Sequence, residues 1–414
     1  MSSRLKGELI HPNKSSSIAK LEFSPDGKRI LAGDYPGGVI ALWDVATGKR
    51  LTTIDAGYGY HATADYYAVS PDWQTVFAWR EKRHLERVNQ NGKRMIRWTF
   101  EGEVRAWNLE DGKLLRTYKR QPQSNVRLMR LAPDGKTFCT LEELPGTYES
   151  QPKQAVNLWD VETGFYRTLE GLDGYRVFSP DGKTLAFAAY DDKGYTNGLK
   201  LIDVATGREK WSVPVTDKDA QVYVNLFSRD GQWLLGEVRV YERANQWHKS
   251  HSQLKWWDAA TGRDVASFAC DPNEATSFTV LSPDGRIAVA QNWQGERSKL
   301  LLFHLPDKRL LRTIVVGEKT EGQRPIASSP AFSPDGKWMA VITRAVPKKG
   351  RVEDPRDVPQ PRILLIEIAT GAIRETLIAP QSFSHEASFS PDGRTLATGG
   401  HGRVLLWDMT KMPQ

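Results

Sequence analysis

Cysteine is scarce in this chain, and long apolar runs are missing. The 414 residues include two cysteines, Cys139 and Cys270, without the spacing of metal ligands. This scarcity favours buried or half-buried thiols in a reducing compartment over a disulfide or a zinc site. No run of about eighteen apolar residues occurs, and residues 1–10 hold no apolar segment ahead of a small-residue cleavage site. The sequence therefore predicts a cytoplasmic protein with neither a membrane span nor an export signal.

Catalytic motifs are missing as well. No glycine-rich phosphate loop follows a predicted strand, and no Gly-x-Ser-x-Gly nucleophile motif occurs. His248 and His251 are close enough in sequence to share a metal ion, but no cysteine or carboxylate stands beside them, so we expect exposed histidines. The sequence predicts a protein that is not an enzyme and that has no cofactor and no metal.

What the sequence contains is a repeat. A Ser-Pro-Asp-Gly turn, or a close variant, occurs eight times, with an average period of about 52 residues. The turns begin at Ser24, Ser70, Ala132, Ser179, Ser228, Ser282, Ser333 and Ser390. Each is followed by an apolar strand ending in a Trp-Asp-like pair, at Trp43-Asp44, Trp107-Asn108, Trp159-Asp160, Ile202-Asp203, Trp257-Asp258, Phe303-His304, Ile366-Glu367 and Trp407-Asp408. This period suits four short strands with their connections, so each unit is expected to form one propeller blade.

The two ends of the chain predict how the ring closes. The first unit reads as strands A to D over residues 18–23, 29–33, 39–44 and 50–54. The eighth unit lacks strand D, whereas Leu5–Ile10 precedes any strand A and resembles a strand D. We therefore predict an all-β fold: a single eight-bladed β-propeller domain over residues 1–414, with four-stranded antiparallel blades and an N-terminal strand that completes the last blade. Seven blades plus a divergent segment is the alternative.

The units differ most between strands B and C. Relative to the shortest unit, the insertion there is 20 residues in unit 2, 16 in unit 7 and 12 in unit 5. Because successive strands are antiparallel, the B-to-C and D-to-A loops share one face, here called the insertion face. The Ser-Pro-Asp-Gly and Thr-Gly turns share the opposite face, here called the turn face. Elaboration of one face is typical of repeat proteins where they bind.

The insertion face is also expected to be basic. Residues 80–97 in unit 2 carry a net charge of +5 and residues 343–362 in unit 7 a net charge of +3, against +7 for the whole chain. The unit 3 insertion, with Glu142, Glu143 and Glu149, has the opposite sign. Tryptophans lie beside or within several insertions, at Trp79, Trp98, Trp247 and Trp293. Simple solvated loops, or an extended hairpin in which Trp79 and Trp98 continue paired strands, are the structural alternatives to binding.

The wording of the repeats, SPDGK and LWDVATGK, resembles the WD-repeat β-propeller family, and bacterial members in particular, over essentially the whole chain. This resemblance implies partner binding rather than an activity. The family's Gly-His is approximated at His11 and His61 and its turn aspartate at Asp34 and Asp191, but around His401 that aspartate is replaced. We therefore expect packing of tryptophan and aliphatic side chains to hold most blades.

A second resemblance concerns Trp211. Residues 203–211 are similar to the tryptophan-docking repeat of eight-bladed quinoprotein dehydrogenases. The residues in register with Trp211 in other units are predicted to be Thr52, Thr168 and Ala266, and the chain has no vicinal cysteine pair. A propeller enzyme of quinoprotein type is therefore the less favoured alternative.

Together these features favour a monomeric, non-catalytic ring that binds a protein partner through its insertion face. An acidic partner is the natural complement, and no membrane binding is expected. The expected binding residues are Arg83, Arg87, Arg94, Arg97, Trp98, Trp247, Lys348, Lys349 and Arg351. Arginine would supply bidentate contacts to carboxylates, lysine longer-range attraction and tryptophan an apolar anchor. Binding of nucleic acid by the same residues is the alternative.

Overall fold

The computed structural model describes residues 4–57, 67–90, 93–119, 124–143, 154–169, 176–190, 196–215, 217, 219–241, 250–271, 274, 276–292, 297–318, 323–328, 330–347, 360–379 and 386–412. In these residues the chain forms 33 β-strands arranged in eight sheets. Each sheet is one blade of a ring, so the predicted all-β, eight-bladed propeller is confirmed.

The strands follow one another from blade to blade. Blade 1 contains β2 (Ser17–Phe23), β3 (Arg29–Tyr35), β4 (Val39–Asp44) and β5 (Arg50–Asp55). Blade 2 contains β6 (Tyr67–Val69), β7 (Thr75–Gln90), β8 (Lys93–Asn108) and β9 (Leu114–Tyr118). Blade 3 contains β10 (Asn125–Leu131), β11 (Thr137–Glu143), β12 (Gln154–Asp160) and β13 (Tyr166–Leu169). Blade 4 contains β14 (Arg176–Phe178), β15 (Thr184–Tyr190), β16 (Thr196–Asp203) and β17 (Glu209–Pro214).

The second half of the ring has the same order. Blade 5 contains β18 (Ala220–Phe227), β19 (Trp233–Tyr241), β20 (Ser250–Asp258) and β21 (Asp264–Ala269). Blade 6 contains β22 (Thr276–Leu281), β23 (Ile287–Asn292), β24 (Arg297–His304) and β25 (Arg309–Glu318). Blade 7 contains β26 (Gln323–Ala327), β27 (Ala331–Phe332), β28 (Trp338–Pro347), β29 (Arg362–Glu367) and β30 (Ile373–Ile378). Blade 8 contains β31 (Ala387–Phe389), β32 (Thr395–Gly399), β33 (Arg403–Asp408) and β1 (Leu5–Ile10).

The ring closes as the chain ends predict. Strand β1 pairs antiparallel with β33, from Leu5 opposite Trp407 to Ile10 opposite Arg403, and so supplies strand D of blade 8. Arg4, just before β1, donates from Nε to Glu375 of blade 7 at 2.8 Å. The alternative of seven blades plus a divergent segment is wrong, because all eight units form sheets. One blade is irregular: strand A of blade 7 is split into β26 and β27, which both pair with β28.

The core lies between neighbouring blades. The middle strands are buried on both sides, as in β3 and β4 of blade 1, because each blade is packed between two others. One apolar cluster, for example, joins Leu31 and Leu42 of blade 1 to Val76 and Ala78 of blade 2. Both cysteines are free thiols, Cys139 buried and Cys270 half-buried, and burial raises the pKa of each. Within the described part of the chain, no helix has the length and apolar character to cross a membrane.

The Ser-Pro-Asp-Gly turns have the structural role that their residues predict. In blade 1, Ser24 Oγ donates to Asp26 Oδ1 at 2.6 Å, and the same oxygen accepts the Lys28 amide at 3.0 Å. The bond from Ser24 and the Lys28 amide hold the pKa of Asp26 below its usual value. Gly27 has φ of +70°, and a Cβ there would lie 3.3 Å from Cδ of Pro391 in blade 8. Seven of the eight turns carry this glycine, and each of these glycines packs against the turn of the preceding blade.

A position on the outer strands ties five of the described blades to the next blade at the turn face. Thr52 donates to the carbonyl oxygen of Glu110 at 2.7 Å, and Trp211 donates from Nε1 to Ala259 at 3.0 Å. Equivalent side chains of Arg116, Arg167 and Arg312 donate to backbone oxygens of the following blade. By pairing register the equivalent of Trp211 in blade 3 is Arg167, opposite Leu158, and the predicted Thr168 is wrong. Thr52 and Ala266 do hold this position.

Candidate functional site

The longest feature of the insertion face is the β7–β8 hairpin of blade 2. Its two strands pair without any register shift, from Thr75 opposite Asn108 to Gln90 opposite Lys93. Each strand has 16 residues, against 7 in β3 of blade 1. At about 3.3 Å per residue, the nine extra residues extend the ribbon by about 30 Å. The unit 2 insertion is therefore an extended hairpin, which was one of the two structural alternatives for it.

A signal for this hairpin is present in the sequence, although the repeat pattern hides it. Strand β7 ends at Gln90 and β8 begins at Lys93, so two residues, Asn91 and Gly92, separate them. Asn-Gly between two strands is the strongest short-range indication of a tight β-hairpin. In the sequence analysis the extended hairpin stands only as an alternative to a charged loop, and this Asn-Gly pair is not used.

The hairpin brings five of the nine expected binding residues together. Arg83 and Arg87 lie on β7, and Arg94, Arg97 and Trp98 lie on β8. In the pairing register Arg87 is opposite Ile96, Arg94 is opposite Asn89, and Trp98 is opposite Leu85. The described side chains of His84, Arg87 and Asn89 are exposed. The expected basic cluster thus belongs to one ribbon rather than to an irregular loop.

The register divides these residues between the two faces of the ribbon. Successive positions of a strand belong to opposite faces, and residues directly opposite each other share a face. Positions 83, 87, 94 and 98 therefore fall on one face, together with positions 85, 96 and 100. Position 97 pairs with position 86 and falls on the other face. The four arginines are not equivalent, which charge alone does not reveal.

The other four expected residues, Trp247, Lys348, Lys349 and Arg351, lie outside the described residues, as do Asp191, His61, Trp293 and His248. The strands that lead to them are present: β19 ends at Tyr241 and β20 begins at Ser250, while β28 ends at Pro347 and β29 begins at Arg362. Part of the unit 7 insertion is therefore strand, because residues 343–347 pair with β26. Among the described residues, no three His, Cys, Asp or Glu side chains form a group able to hold a metal ion.

The root of the hairpin is fixed to blade 3. The Gly102 amide donates to Ser124 O at 2.8 Å, and a Cβ at Gly102 would lie 2.5 Å from that oxygen. Trp79, on β7 just below this point, is fully buried among apolar side chains of blades 2 and 3. Trp79 is therefore a core residue. Its position next to the insertion in the sequence is explained by packing between blades 2 and 3.

A buried carboxylate also anchors this root. Glu103 on β8 accepts bonds from Lys119 Nζ at 2.9 Å and from Arg105. Burial opposes ionisation of Glu103, but the Lys119 bond and the Arg105 charge outweigh it and hold its pKa below the usual value. The base of the ribbon is thus held by charge pairs as well as by apolar contacts.

Buried polar networks of two kinds lie below the insertion face. In blade 1, His11 and Asp34 are buried, the His11 ring lies 6.0 Å from that of Trp43, and Asp34 Oδ1 accepts the Val39 amide at 2.5 Å. Burial lowers the pKa of His11, although the Asp34 charge opposes this. In this blade the histidine and the turn aspartate that the family resemblance suggests, His11 and Asp34, are therefore both buried. His401 of blade 8 is exposed.

Blade 3 builds a related network from other residues. Trp159 Nε1 donates to Thr140 Oγ1 at 2.9 Å, Thr140 donates to Glu142 Oε1 at 2.5 Å, and Ser124 donates to the other carboxylate oxygen. Sequence reasoning missed this network because it counted Glu142 among the charges of an exposed insertion. Glu142 is instead almost fully buried, at 1% exposure.

The seam between blades 5 and 6 contains another buried charge. Glu237 on β19 is 1% exposed and pairs with Arg239 two positions further along the strand. The Arg239 guanidinium lies 5.0 Å from the centre of the Tyr223 ring, and the Tyr223 hydroxyl is 3.1 Å from that of Tyr241. Burial raises the pKa of Glu237 to about 7, although the Arg239 charge opposes the rise. This group titrates near neutral pH.

Comparison with known proteins identifies the type of repeat and similar folds. The family model of the WD domain, G-beta repeat, matches residues 382–408, the segment that forms most of blade 8. Blade 8 is a WD40 repeat. Among solved structures, the C-terminal WD40 domain of Sif2 is similar at 12% identity and a TM-score of 0.59, over 97% of this chain and 99% of that chain. The predicted resemblance to WD-repeat propellers is confirmed at the level of the fold.

A second similar structure carries the name of an enzyme. The dihydro-heme d1 dehydrogenase NirN, in complex with DHE, is similar at 15% identity and a TM-score of 0.55, over 90% of this chain and 67% of that chain. At these identities both structures show the fold alone. None of the curated proteins matches the chain.

Proposed function

We propose that this protein is a non-catalytic interaction platform that binds an acidic protein partner through its insertion face. In this proposal residues 1–414 form a single domain, a cytoplasmic and monomeric ring without a cofactor. The observation that carries it is the β7–β8 ribbon, which extends Arg83, Arg87, Arg94, Arg97 and Trp98 from blade 2 on paired strands. Paired strands hold their side chains in fixed order, so the ribbon costs less ordering entropy on binding than a loop of the same charge.

Charge gives the proposed partner its sign. Seven cationic residues stand against three carboxylates between residues 80 and 101, so a partner rich in Asp and Glu complements the ribbon. Arginine binds carboxylates in a bidentate manner, and tryptophan supplies a large apolar contact at low entropic cost. Trp247, Lys348, Lys349 and Arg351 would extend this surface along blades 5 and 7.

The test is affinity capture from a lysate of the source organism with two charge reversals that remove equal charge. The first replaces Arg83, Arg87, Arg94 and Arg97 by Glu. The second replaces Lys28, Lys136, Lys183 and Lys337 by Glu; these four exposed lysines follow the turns on the opposite face. A nuclease-resistant partner that is lost only with the first reversal supports the proposal.

The same experiment gives the outcomes that contradict the proposal. A partner lost equally with both reversals indicates that only net charge matters, and one lost only with the second places binding on the turn face. Capture of nucleic acid alone, with an affinity that falls steeply as salt rises, supports the nucleic-acid alternative instead.

A further inference from the structure

Among the residues that the structure describes, the β7–β8 ribbon has open backbone edges. Strand β6 pairs with β7 only between Val76 and Ala78, and β9 pairs with β8 only between Val104 and Trp107. Beyond these points, among the described residues, each strand of the ribbon has one neighbouring strand, which is the other strand of the hairpin. An edge of this kind presents N–H and C=O groups to which an extended chain can pair.

One hydrogen bond shows which backbone groups face outward. The Gly102 amide donates to Ser124 of blade 3 rather than to β7, so the pair of Gly102 with Glu81 is not hydrogen-bonded across the hairpin. Hydrogen-bonded and non-hydrogen-bonded pairs alternate along an antiparallel ladder. The outward groups are therefore those of Arg83, Leu85, Arg87 and Asn89 on β7, and of Arg94, Ile96, Trp98 and Phe100 on β8.

These edges lack the bulge that most outer strands of the ring carry. The outer strands of seven blades carry a register shift along their pairing, at β1, β5, β9, β17, β21, β25 and β30. Such bulges blunt an edge against the addition of another strand. The ribbon pairs through 16 consecutive positions without a shift, and its sequence from residue 80 to 101 contains no proline.

Charge decides which chain can add to the ribbon. A second copy would bring another seven cations against these seven, so like charges oppose pairing between two ribbons. A strand with carboxylates at alternate positions would instead place opposite charges beside Arg83 and Arg87 on the β7 edge, or beside Arg94 on the β8 edge. We propose that the ribbon binds an acidic, extended segment of a partner protein as an added β-strand. This inference rests on the proposed function and specifies the form of its partner.

The test uses a labelled peptide of alternating Glu and Val, with a Lys and Val peptide as its charge control, and measures binding by fluorescence anisotropy. Leu85→Pro and Ile96→Pro each remove one outward N–H group and leave the ladder bonds of the hairpin in place. Leu85→Ala and Ile96→Ala are the matched controls, because they shorten the same side chains and keep the N–H. Melting curves show that each variant is folded.

Strand addition predicts that the acidic peptide binds the native protein and binds one of the two proline variants about tenfold more weakly, while both alanine variants bind like the native protein. Two further peptides carry N-methyl groups at alternate amides, one on the edge that pairs with the ribbon and one on the opposite edge. Only the first should lose binding. Equal binding to the proline and alanine variants, or to both N-methylated peptides, would overturn the added strand.

Three further outcomes separate this inference from the proposed function. If the peptide does not bind but affinity capture still depends on the four arginines, strand addition is wrong and the platform stands. If the peptide binds only after Glu143→Lys and Glu149→Lys, the acidic insertion of blade 3 occupies the ribbon in the native protein. The proposal that a partner's strand binds there is then wrong. If capture is also indifferent to the four arginines, both proposals fail.

Discussion

Arg239 donates a hydrogen bond from Nη2 to Glu237 Oε1 within blade 5, and Glu237 also bonds to Ser277 of blade 6. Tyr223 of β18 and Ser277 of β22 stand close to this pair, and Cys270 lies near the Glu237 charge. Burial outweighs the Arg239 charge, so the pKa of Glu237 rises to about 7. The Glu237 carboxyl group is therefore more easily protonated in the folded protein than in the unfolded chain.

This relationship predicts how stability changes with pH. Because the folded-state pKa is raised, the folded protein holds a proton that the unfolded chain has lost between about pH 4.5 and 7. Stability should fall as pH rises through this window, by about 3 kcal/mol from this group. Glu237→Gln should flatten that part of the profile and make the protein more stable than the native form at pH 8.5. Urea unfolding at several pH values measures this.

Glu103→Gln is the matched control with the opposite sign. The pKa of Glu103 is lowered by Lys119 and Arg105 despite burial, so its contribution is present above its unfolded pKa and is lost as pH falls. Its removal should destabilise the protein at neutral pH. If Glu237→Gln is also destabilising at pH 8.5, the pairing with Arg239 outweighs burial and the predicted sign is wrong.

Removal of the N-terminal strand should destabilise the whole ring. Strand β1 supplies the outer pairing of blade 8 and buries Leu9 to 3% exposure. Loss of its ladder bonds and of this apolar burial is expected to cost about 5 kcal/mol and to expose the edge of β33. A deletion of residues 1–10 should therefore melt lower and aggregate on heating, which differential scanning calorimetry and light scattering measure.

The control for this deletion is Arg4→Ala. That change removes the ion pair with Glu375 and the bonds that Arg4 donates to the carbonyl oxygens of Asp408 and Lys411, but keeps the strand. A partly exposed ion pair of this kind contributes about 1 kcal/mol or less, so the loss should stay well below that of the deletion. A deletion that melts like Arg4→Ala would show that β1 is not needed for closure.

Gly102→Ala tests how the ribbon is fixed at its root. A Cβ at this position would lie 2.5 Å from Ser124 O and 2.6 Å from the Val126 amide nitrogen, so the strands must separate. We expect a loss of about 2 kcal/mol and weaker partner binding, because the ribbon changes its angle. Gly7→Ala is the control, since the nearest atom there is 4.0 Å away on Leu406. Equal melting temperatures for the two variants would contradict the close approach.

The sequence predicts the blades well because the information for each blade is local. The turn at Ser24 and the strand that ends at Trp43 fix the strands between them, and Leu5–Ile10 is observed with the predicted bounds. Thr168 was placed wrongly because β17 carries a register shift at its pairing with Ile202, whereas β13 has none. A count of residues along the chain does not reveal such a shift.

The candidate site was less accessible to sequence reasoning for a related reason. Charge identified residues 80–97, but the division between position 97 and positions 83, 87 and 94 depends on which residues pair across the hairpin. The burial of Glu142 likewise depends on its hydrogen bonds with Thr140, two residues earlier on the same strand, and with Ser124, which precedes a different strand. Composition identifies a charge, whereas its partners are set by register.

Substitution of two turn residues with positive φ can distinguish the effect of backbone strain on stability from that of packing. Lys308 has φ of +53° and Trp73 has φ of +58°, at positions where glycine is favoured. Lys308 is half-buried, with Nζ 4.6 Å from the Trp233 ring, whereas Trp73 is 9% exposed and packs in the core between blades 1 and 2.

Lys308→Gly should stabilise the protein by about 0.5 kcal/mol, because relief of strain exceeds the lost cation–π contact. Trp73→Gly gains the same relief but loses a large buried side chain, so it should cost about 3 kcal/mol. Urea unfolding of both variants measures this difference, and two losses of similar size would mean that backbone strain at these turns is negligible.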